Sequence, residues 1–259
     1  MINSFQELYE QVDLCEDRKV SMRVGIYPGA FKPPHKGHYE AAKIALSQND
    51  VVFVLVSGIC RGKGCDAVTP NQSARIWHLY KQDIGDTNLK IVPVPTWKDP
   101  DTGSTSTVIT ATYDIVHLLN NGGSYETIGK FLDAHPVAKN VYNHVREHNS
   151  FHVTVYAGEE DFAGRYSGLP TKGDVDEDKR YTGRDVLRIA QGKTPRIASA
   201  SHIRPFVAGY RENQLKSSID IREKILQGAI NHDDFASVRK NLPGDETLKD
   251  RVIDILLDE

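Results

Sequence analysis

His35 and His38 stand three residues apart in the run Pro28-Gly29-Ala30-Phe31-Lys32-Pro33-Pro34-His35-Lys36-Gly37-His38. A helical pattern begins near Gly37 and continues through Ala41, Ala42, Ile44, Ala45 and Leu46, so the two imidazoles straddle a helix start. Unpaired backbone N–H groups and the positive end of a helix make such a place suited to a phosphate. Imidazole N–H groups add donors for phosphoryl oxygens. Gly29 suits a tight turn and Gly37 a close approach of a ligand. Such an arrangement stabilises charge and asks no nucleophile of the protein. The alternative, a packing glycine flanked by surface histidines, is disfavoured because the run directly follows an apolar strand.

The elements that must hold these residues are legible from periodicity. Val20 to Tyr27 reads as a strand closed by Pro28-Gly29, and Val51 to Val56 is apolar on both faces, as a buried parallel strand requires. Thr69-Pro70 caps a helix carrying Ile76, Leu79, Tyr80 and Ile84, which Gly85 stops. Leu89 to Val94 is a third strand, Val108 to Leu119 a helix ended by Asn120-Asn121-Gly122-Gly123, and Phe151 to Tyr156 a fourth strand leading to Ala157-Gly158. Arg184 to Gln191 reads as helical, and Arg196-Ile197-Ala198 as a short fifth strand. Strands alternating with helices predict an α/β doubly wound parallel sheet whose ligand lies outside the carboxyl ends of the strands.

The boundaries read as an amino-terminal helical extension at 1–19, a main domain at 20–210 and a helical carboxyl-terminal region at 211–259. Within the main domain, about 122–150 reads as a helical insertion and about 165–182 as a charged loop, whose core TKGDVDEDKR has the composition of a mobile lid.

Composition narrows the function classes. The 259 residues carry 32 Lys+Arg against 35 Asp+Glu, a net charge of −3, which disfavours a dedicated nucleic-acid binder. The longest apolar run, Val51 to Val56, is far short of the roughly 20 residues that span a bilayer. The acidic start, with Glu7, Glu10, Asp13, Glu16 and Asp17, is unlike a secretory signal. Cys15, Cys60 and Cys65 are too few and odd in number for a disulfide framework, and Cys60 and Cys65 do not have zinc-pair spacing. The expectation is a cytoplasmic protein without membrane or nucleic-acid partners; a homo-oligomer is allowed.

Among the remaining candidates, Trp77 reads as core on an amphipathic helix. Trp97 follows the third strand, where a substrate ring could stack, and the run Asp101 to Thr107, including Thr105, could hold an acceptor phosphate at the next helix start. Loop packing and a solvated loop are the bland readings of these two. His135, His144 and His148 receive no role.

His35-Lys36-Gly37-His38 resembles the signature of the nucleotidyltransferases with a His-x-Gly-His motif, which include adenylyl- and cytidylyltransferases of cofactor and lipid-precursor synthesis. Their second signature, Ser-x-Thr-x-x-Arg, is similar to Ser199-Ala200-Ser201-His202-Ile203-Arg204, with Ser in the Thr slot. Gly158-Glu159-Glu160-Asp161 resembles their glycine and acidic turn after the fourth strand. The resemblance runs in order from about Val20 to Arg204. Ser217-Ser218-Ile219-Asp220-Ile221-Arg222 competes for the second signature; Arg204 is preferred because Ser201 keeps a hydroxyl that Ile219 lacks. Gly29, Phe31, Pro33 and Pro34 resemble the nicotinamide mononucleotide (NMN) adenylyltransferase version, Gly-x-Phe-x-Pro-x-His, more than the cytidylyltransferase version.

The resemblance implies a Rossmann-like fold with a helical carboxyl-terminal extension. It also implies in-line attack of an acceptor phosphate on the α-phosphorus of a nucleoside triphosphate, without a covalent enzyme intermediate. In that reading His35, His38, Lys32 and Arg204 are catalytic. Gly29, Ala30, Phe31, Lys36, Gly37, Gly158, Glu160, Asp161, Ser199, Ser201 and Ile203 contact the nucleotide, and Trp97 and Thr105 the acceptor. Arg222 is the alternative phosphate arginine. Mg²⁺ accompanies the triphosphate and takes no named protein ligand. ATP and NMN, hence NAD synthesis, are favoured; a cytidylyl or pantetheine-phosphate reaction is the runner-up. A non-catalytic nucleotide-binding protein on the same fold is the rival from another class.

Overall fold

The computed structural model describes residues 22–59, 68–98, 105–121, 133, 135–148, 151–169, 188–193, 203, 207 and 232–258. In chain order its elements are β1 (Met22–Gly29), α1 (Lys36–Gln48), β2 (Val51–Ser57), α2 (Pro70–Ile84), β3 (Leu89–Val94), β4 (Trp97–Lys98), β5 (Thr105–Ser106), α3 (Val108–Asn121), α4 (Pro136–Val145), β6 (Phe151–Ala157), α5 (Glu159–Gly164), β7 (Arg188–Lys193), α6 (His232–Asn241) and α7 (Glu246–Leu257).

β2 shows why the sheet is covered on both sides. Val51, Phe53 and Leu55 enter one apolar cluster with Ile115 of α3 and Val141 of α4. Val52, Val54 and Val56 enter the other, with Ala42 of α1, Trp77 of α2 and Leu256 of α7. The two-residue period of a strand sends alternate side chains to opposite faces, so a run apolar at every position needs helices above and below.

The five-stranded sheet has the order β3-β2-β1-β6-β7, and every neighbouring pair is parallel. The order reverses at β1, between β2 and β6. Pairing of β1 with β2 continues to Gly29 opposite Val56, whereas pairing of β1 with β6 ends at Ile26 opposite Val155. Beyond Ile26 the backbone of β1 thus turns away from β6 while staying with β2. In a parallel sheet this reversal, at the carboxyl ends of the strands, is where a ligand finds a crevice.

Local signals account for the helix ends. Thr69 accepts the Gln72 N–H, the Gln72 side chain accepts the Thr69 N–H, and Pro70 occupies the first turn. Gly85 ends α2 with φ 72°, a left-handed conformation that glycine adopts without steric cost.

One sequence expectation changes. Arg188–Lys193 is a strand and not part of a helix over 184–191: it pairs with β6 from His152–Arg188 to Ala157–Lys193. Ladder hydrogen bonds along the outer side of β6 outweigh a short helical pattern that Gly192 interrupts. Within the stretch read as a helical insertion, Ala138, Val141 and Val145 of α4 are buried in one apolar cluster with residues of α3 and the sheet. Between residues 232 and 258 the chain is helical at α6 and α7, and α7 docks on α2. There the Gln72 side-chain amide donates to the carbonyls of Ile255 (2.9 Å), Leu256 (3.4 Å) and Asp258 (2.6 Å). The 1–19 extension, the three cysteines, the TKGDVDEDKR segment and the strand read at 196–198 lie outside the described residues. Among the described residues no helix is long and apolar enough to cross a membrane.

Candidate functional site

α1 begins with a capping box made from two imidazoles. His35 is the N-cap, with extended backbone (φ −127°, ψ 178°), and its Nδ1 accepts the Gly37 N–H at 3.2 Å. The His35 N–H donates in turn to Nδ1 of His38, also at 3.2 Å. The usual residues of this motif are a hydroxyl and a carboxylate or amide. An Nδ1 that accepts carries no proton, so this hydrogen-bond pattern assigns the neutral tautomer of both rings to Nε2–H. The rings stack with centroids 3.7 Å apart and 21° between their planes. Burial pushes the His35 imidazole down to about 4. His38 falls well below its ordinary 6.5, first through burial and then through repulsion by charge on His35. At neutral pH the pair is therefore uncharged, with one Nε2–H donor on each ring.

This alters the anion site expected of the helix start. The Gly37 N–H is taken by His35 Nδ1, and the N–H groups of His38 and Tyr39 donate to the His35 carbonyl. The first turn has fewer open N–H groups than a bare helix end offers, and the imidazoles supply the donors instead.

The loop before His35 is buried from Phe31 to Pro34. Gly29 does not take up positive φ, so backbone freedom is not its reason for being glycine; a Cβ there would strike the Phe31 ring at 2.6 Å. Phe31 is itself in the left-handed region, with φ 48°. Its ring lies edge-on to Tyr27 and Trp77, each 5.1 Å away, and to His38 at 5.0 Å. Phe31 thus packs against the core and against His38 at once. Ala30 is half-buried and Lys36 exposed. Lys32 is 8% exposed and its ammonium donates to the Ile59 carbonyl just past β2, so this cation stands at the carboxyl end of the sheet.

At the end of β6, Gly158 is exposed and caps α5 with φ −69°. Among the described residues beyond its chain neighbours, no atom comes within 4 Å of the place its Cβ would take. Neither conformation nor packing among the described residues requires glycine there. Glu160 lies in α5, and Asp161 is ion-paired with Arg165 at 3.0 Å. Trp97 and Thr105 belong to the β4–β5 hairpin, in adjacent registers, directly after β3. Thr107 caps α3, accepting the Ile109 N–H at 3.2 Å. The Ile203 side chain is fully buried in the cluster that holds Tyr27 and Phe31, so its role is in the core. Ser199, Ser201, Arg204 and Arg222 lie outside the described residues.

Sequence reasoning missed the support from α2. Ser73 Oγ donates to the Phe31 carbonyl at 2.6 Å, and the Tyr80 hydroxyl to the Pro34 carbonyl at 3.1 Å. With Trp77, buried as expected, these residues recur at helical spacing on the core face. A serine and a tyrosine hydroxyl at core positions were the available signal, because buried hydroxyls need partners. Among the described residues no group of three or more His, Cys, Asp or Glu could hold a metal.

The chain matches no protein-family profile and no curated protein. It is similar to solved structures at low identity. One is a Vibrio parahaemolyticus protein provisionally assigned as a nicotinate-nucleotide adenylyltransferase, at 12% identity and TM-score 0.39, covering 90% of this chain and 99% of that one. Another is the bifunctional NMN adenylyltransferase/ADP-ribose pyrophosphatase of Francisella tularensis, complexed with AMP and a manganese ion, at 15% identity and TM-score 0.37, covering 77% of this chain. A third is NadR in complex with NR, at 19% identity and TM-score 0.38, covering 74% of this chain. The match spans 43% and 42% of the length of the last two proteins.

Proposed function

We propose that the chain is a nucleotidyltransferase that moves AMP from ATP to a small phosphate-bearing acceptor, nicotinamide mononucleotide in the favoured case, and releases pyrophosphate. The observation that carries this reading is the His35–His38 pair: two stacked, uncharged imidazoles with both Nδ1 atoms occupied by backbone N–H groups, beside the strand reversal. Two N–H donors fixed before the reaction suit a phosphorus centre whose oxygens gain charge in the transition state.

An acceptor phosphate oxygen attacks the α-phosphorus, the new P–O bond forms, and the bond to the β-phosphate oxygen breaks, with pyrophosphate carrying away the electron pair. Catalysis is positioning and charge stabilisation. His35 and His38 donate from Nε2 to the α-phosphate and the leaving oxygen, and Lys32 adds positive charge at the end of β2. The backbone at Gly158 admits the nucleotide closely. Arg204, with Ser199 and Ser201, holds the β- and γ-phosphates; Arg222 is the alternative. When bound with the triphosphate, Mg²⁺ would supply charge neutralisation there, and it would ask no named ligand of this chain.

The test offers ATP or CTP with a panel of acceptors, NMN and pantetheine phosphate among them, and measures pyrophosphate release. Release with ATP and NMN supports the reading. Release with CTP alone moves the reaction to the cytidylyl class, and no release with any pair overturns transferase function.

A further inference from the structure

We infer that Ser73 and Tyr80 of α2 are positioning residues for the His35–His38 pair, acting through the carbonyls of the loop that precedes it. Both residues are buried, Ser73 and Tyr80 each at 0% exposure. Their hydroxyls grip the loop on either side of Lys32 and Pro33: Ser73 holds the Phe31 carbonyl at 2.6 Å and Tyr80 the Pro34 carbonyl at 3.1 Å. Pro34 precedes His35 directly, so the Tyr80 contact fixes the peptide that leads into the N-cap. Phe31, with φ 48°, is a bulky residue in a region such side chains avoid unless their surroundings hold them.

A second route runs through rings. Trp77 lies between Ser73 and Tyr80 on the same face and meets the Phe31 ring edge-on at 5.1 Å, and Phe31 meets His38 edge-on at 5.0 Å. Among the described residues the buried Trp77 indole N–H has no hydrogen-bond partner. α2 is anchored at its other side to α7 through Gln72, and its face toward the loop therefore acts as a rigid template. Without it the His35 N–H and His38 Nδ1 lose the geometry that assigns both protons to Nε2. The hydrogen-bonding claim stands on geometry alone; its effect on turnover rests on the transfer reading above.

The experiment compares wild type, Ser73→Ala, Tyr80→Phe and Ser73→Thr by imidazole ¹⁵N–¹H correlation spectra, assigned with His35→Gln and His38→Asn, and by pyrophosphate release. In wild type both rings show the Nε2–H tautomer. In Ser73→Ala and Tyr80→Phe the two rings become tautomer mixtures and titrate nearer 6.5. In these variants kcat falls about tenfold to hundredfold at unchanged KM for ATP, the scale expected of small misplacements. Ser73→Thr, which keeps the hydroxyl, restores both readouts. Tyr80→Phe removes a single oxygen and carries the test if Ser73→Ala does not fold. Folded variants with wild-type imidazole spectra overturn the inference. If wild type releases no pyrophosphate, the transfer reading fails while the spectra still decide the positioning role.

Discussion

Gly29 and Phe31 share one space: a Cβ on Gly29 would stand 2.6 Å from two carbons of the Phe31 ring. The neighbour is a ring wedged edge-on against Tyr27, Trp77 and His38, so it cannot swing aside like the tip of a flexible side chain. Gly29→Ala must push the ring from its place, and overpacking of this kind typically costs about 1–3 kcal/mol. The urea midpoint should drop accordingly. Gly29→Ala with Phe31→Leu, which empties the contested space, should recover part of the loss; a single variant as stable as wild type would show that the ring has somewhere else to go.

His38→Ala removes one of the two Nε2–H donors and also the acceptor of the His35 N–H. Loss of a preorganised donor at a developing charge costs about 10² to 10³ in kcat, and the lost cap costs about 1 kcal/mol of stability. The nucleotide Kd should change little. A variant that keeps more than half of the wild-type kcat removes His38 from the chemistry.

The same pair makes stability depend on pH. In the folded chain His35 titrates near 4 and His38 well below 6.5, whereas in the unfolded chain both take protons near 6.5. Below that value the unfolded state binds more protons, so stability is complete above pH 6.5 and is lost as pH falls toward 4. Between pH 7 and 5 the loss should reach about 2 kcal/mol for His35, and His38 adds to it in the same direction. Urea unfolding at the two pH values checks this, and His35→Gln with His38→Asn should flatten the slope across that interval.

How much of this could be read from the sequence depended on the range of the determining contact. β2 and β3 are legible because a run apolar on both faces, or a short β-branched run between turn residues, has few other ways to be buried. Thr69, Pro70 and Gly85 mark the ends of α2 by local hydrogen bonding and φ alone. The place of the histidine pair at the start of α1, just after β1, is legible. Its cap geometry is not, since imidazoles seldom fill that motif. β7 was misread because its strand character comes from pairing with β6, thirty-six residues away at His152 and Arg188. Ser73 and Tyr80 find their carbonyl partners 42 and 46 residues upstream, and no periodic pattern records such a contact.

Gln72 and Arg75 both tie α2 to the end of α7, with very different consequences. The Gln72 amide is buried against three carbonyls, while its oxygen caps Thr69. Arg75 pairs with Asp258 at 2.8 Å, with side chains 44% and 54% exposed. Gln72→Glu replaces the donor with an oxygen that faces those carbonyls, and leaving buried acceptors unmet costs about 1–3 kcal/mol, more with a charge present. An exposed ion pair contributes roughly 0–1 kcal/mol. Unfolding titrations should therefore rank Gln72→Glu far below Arg75→Ala; equal losses would mean that the α2–α7 contact is held at its surface.

Arg204 and Arg222 can be separated by what each does to nucleotides of different length. The residue before Arg204 is Ile203, which is fully buried in the cluster that also holds Tyr27, Phe31 and Val207. Charge-assisted hydrogen bonds from an arginine fork to β- and γ-phosphates are worth about 1.5–3 kcal/mol, so losing them should weaken ATP by about tenfold or more. AMP has neither phosphate, and its affinity should hardly respond. That contrast guards against mistaking a folding defect for a lost contact, because misfolding would weaken both. Arg204→Ala should lose ATP selectively, and Arg204→Lys should recover little, since an ammonium cannot reproduce the planar fork. Arg222→Ala should leave both nucleotides nearly unchanged. Titration of ATP and AMP against the variants decides the matter: selective ATP loss in Arg222→Ala beside a normal Arg204→Ala would move the phosphate anchor eighteen residues downstream and make Ser199 and Ser201 structural.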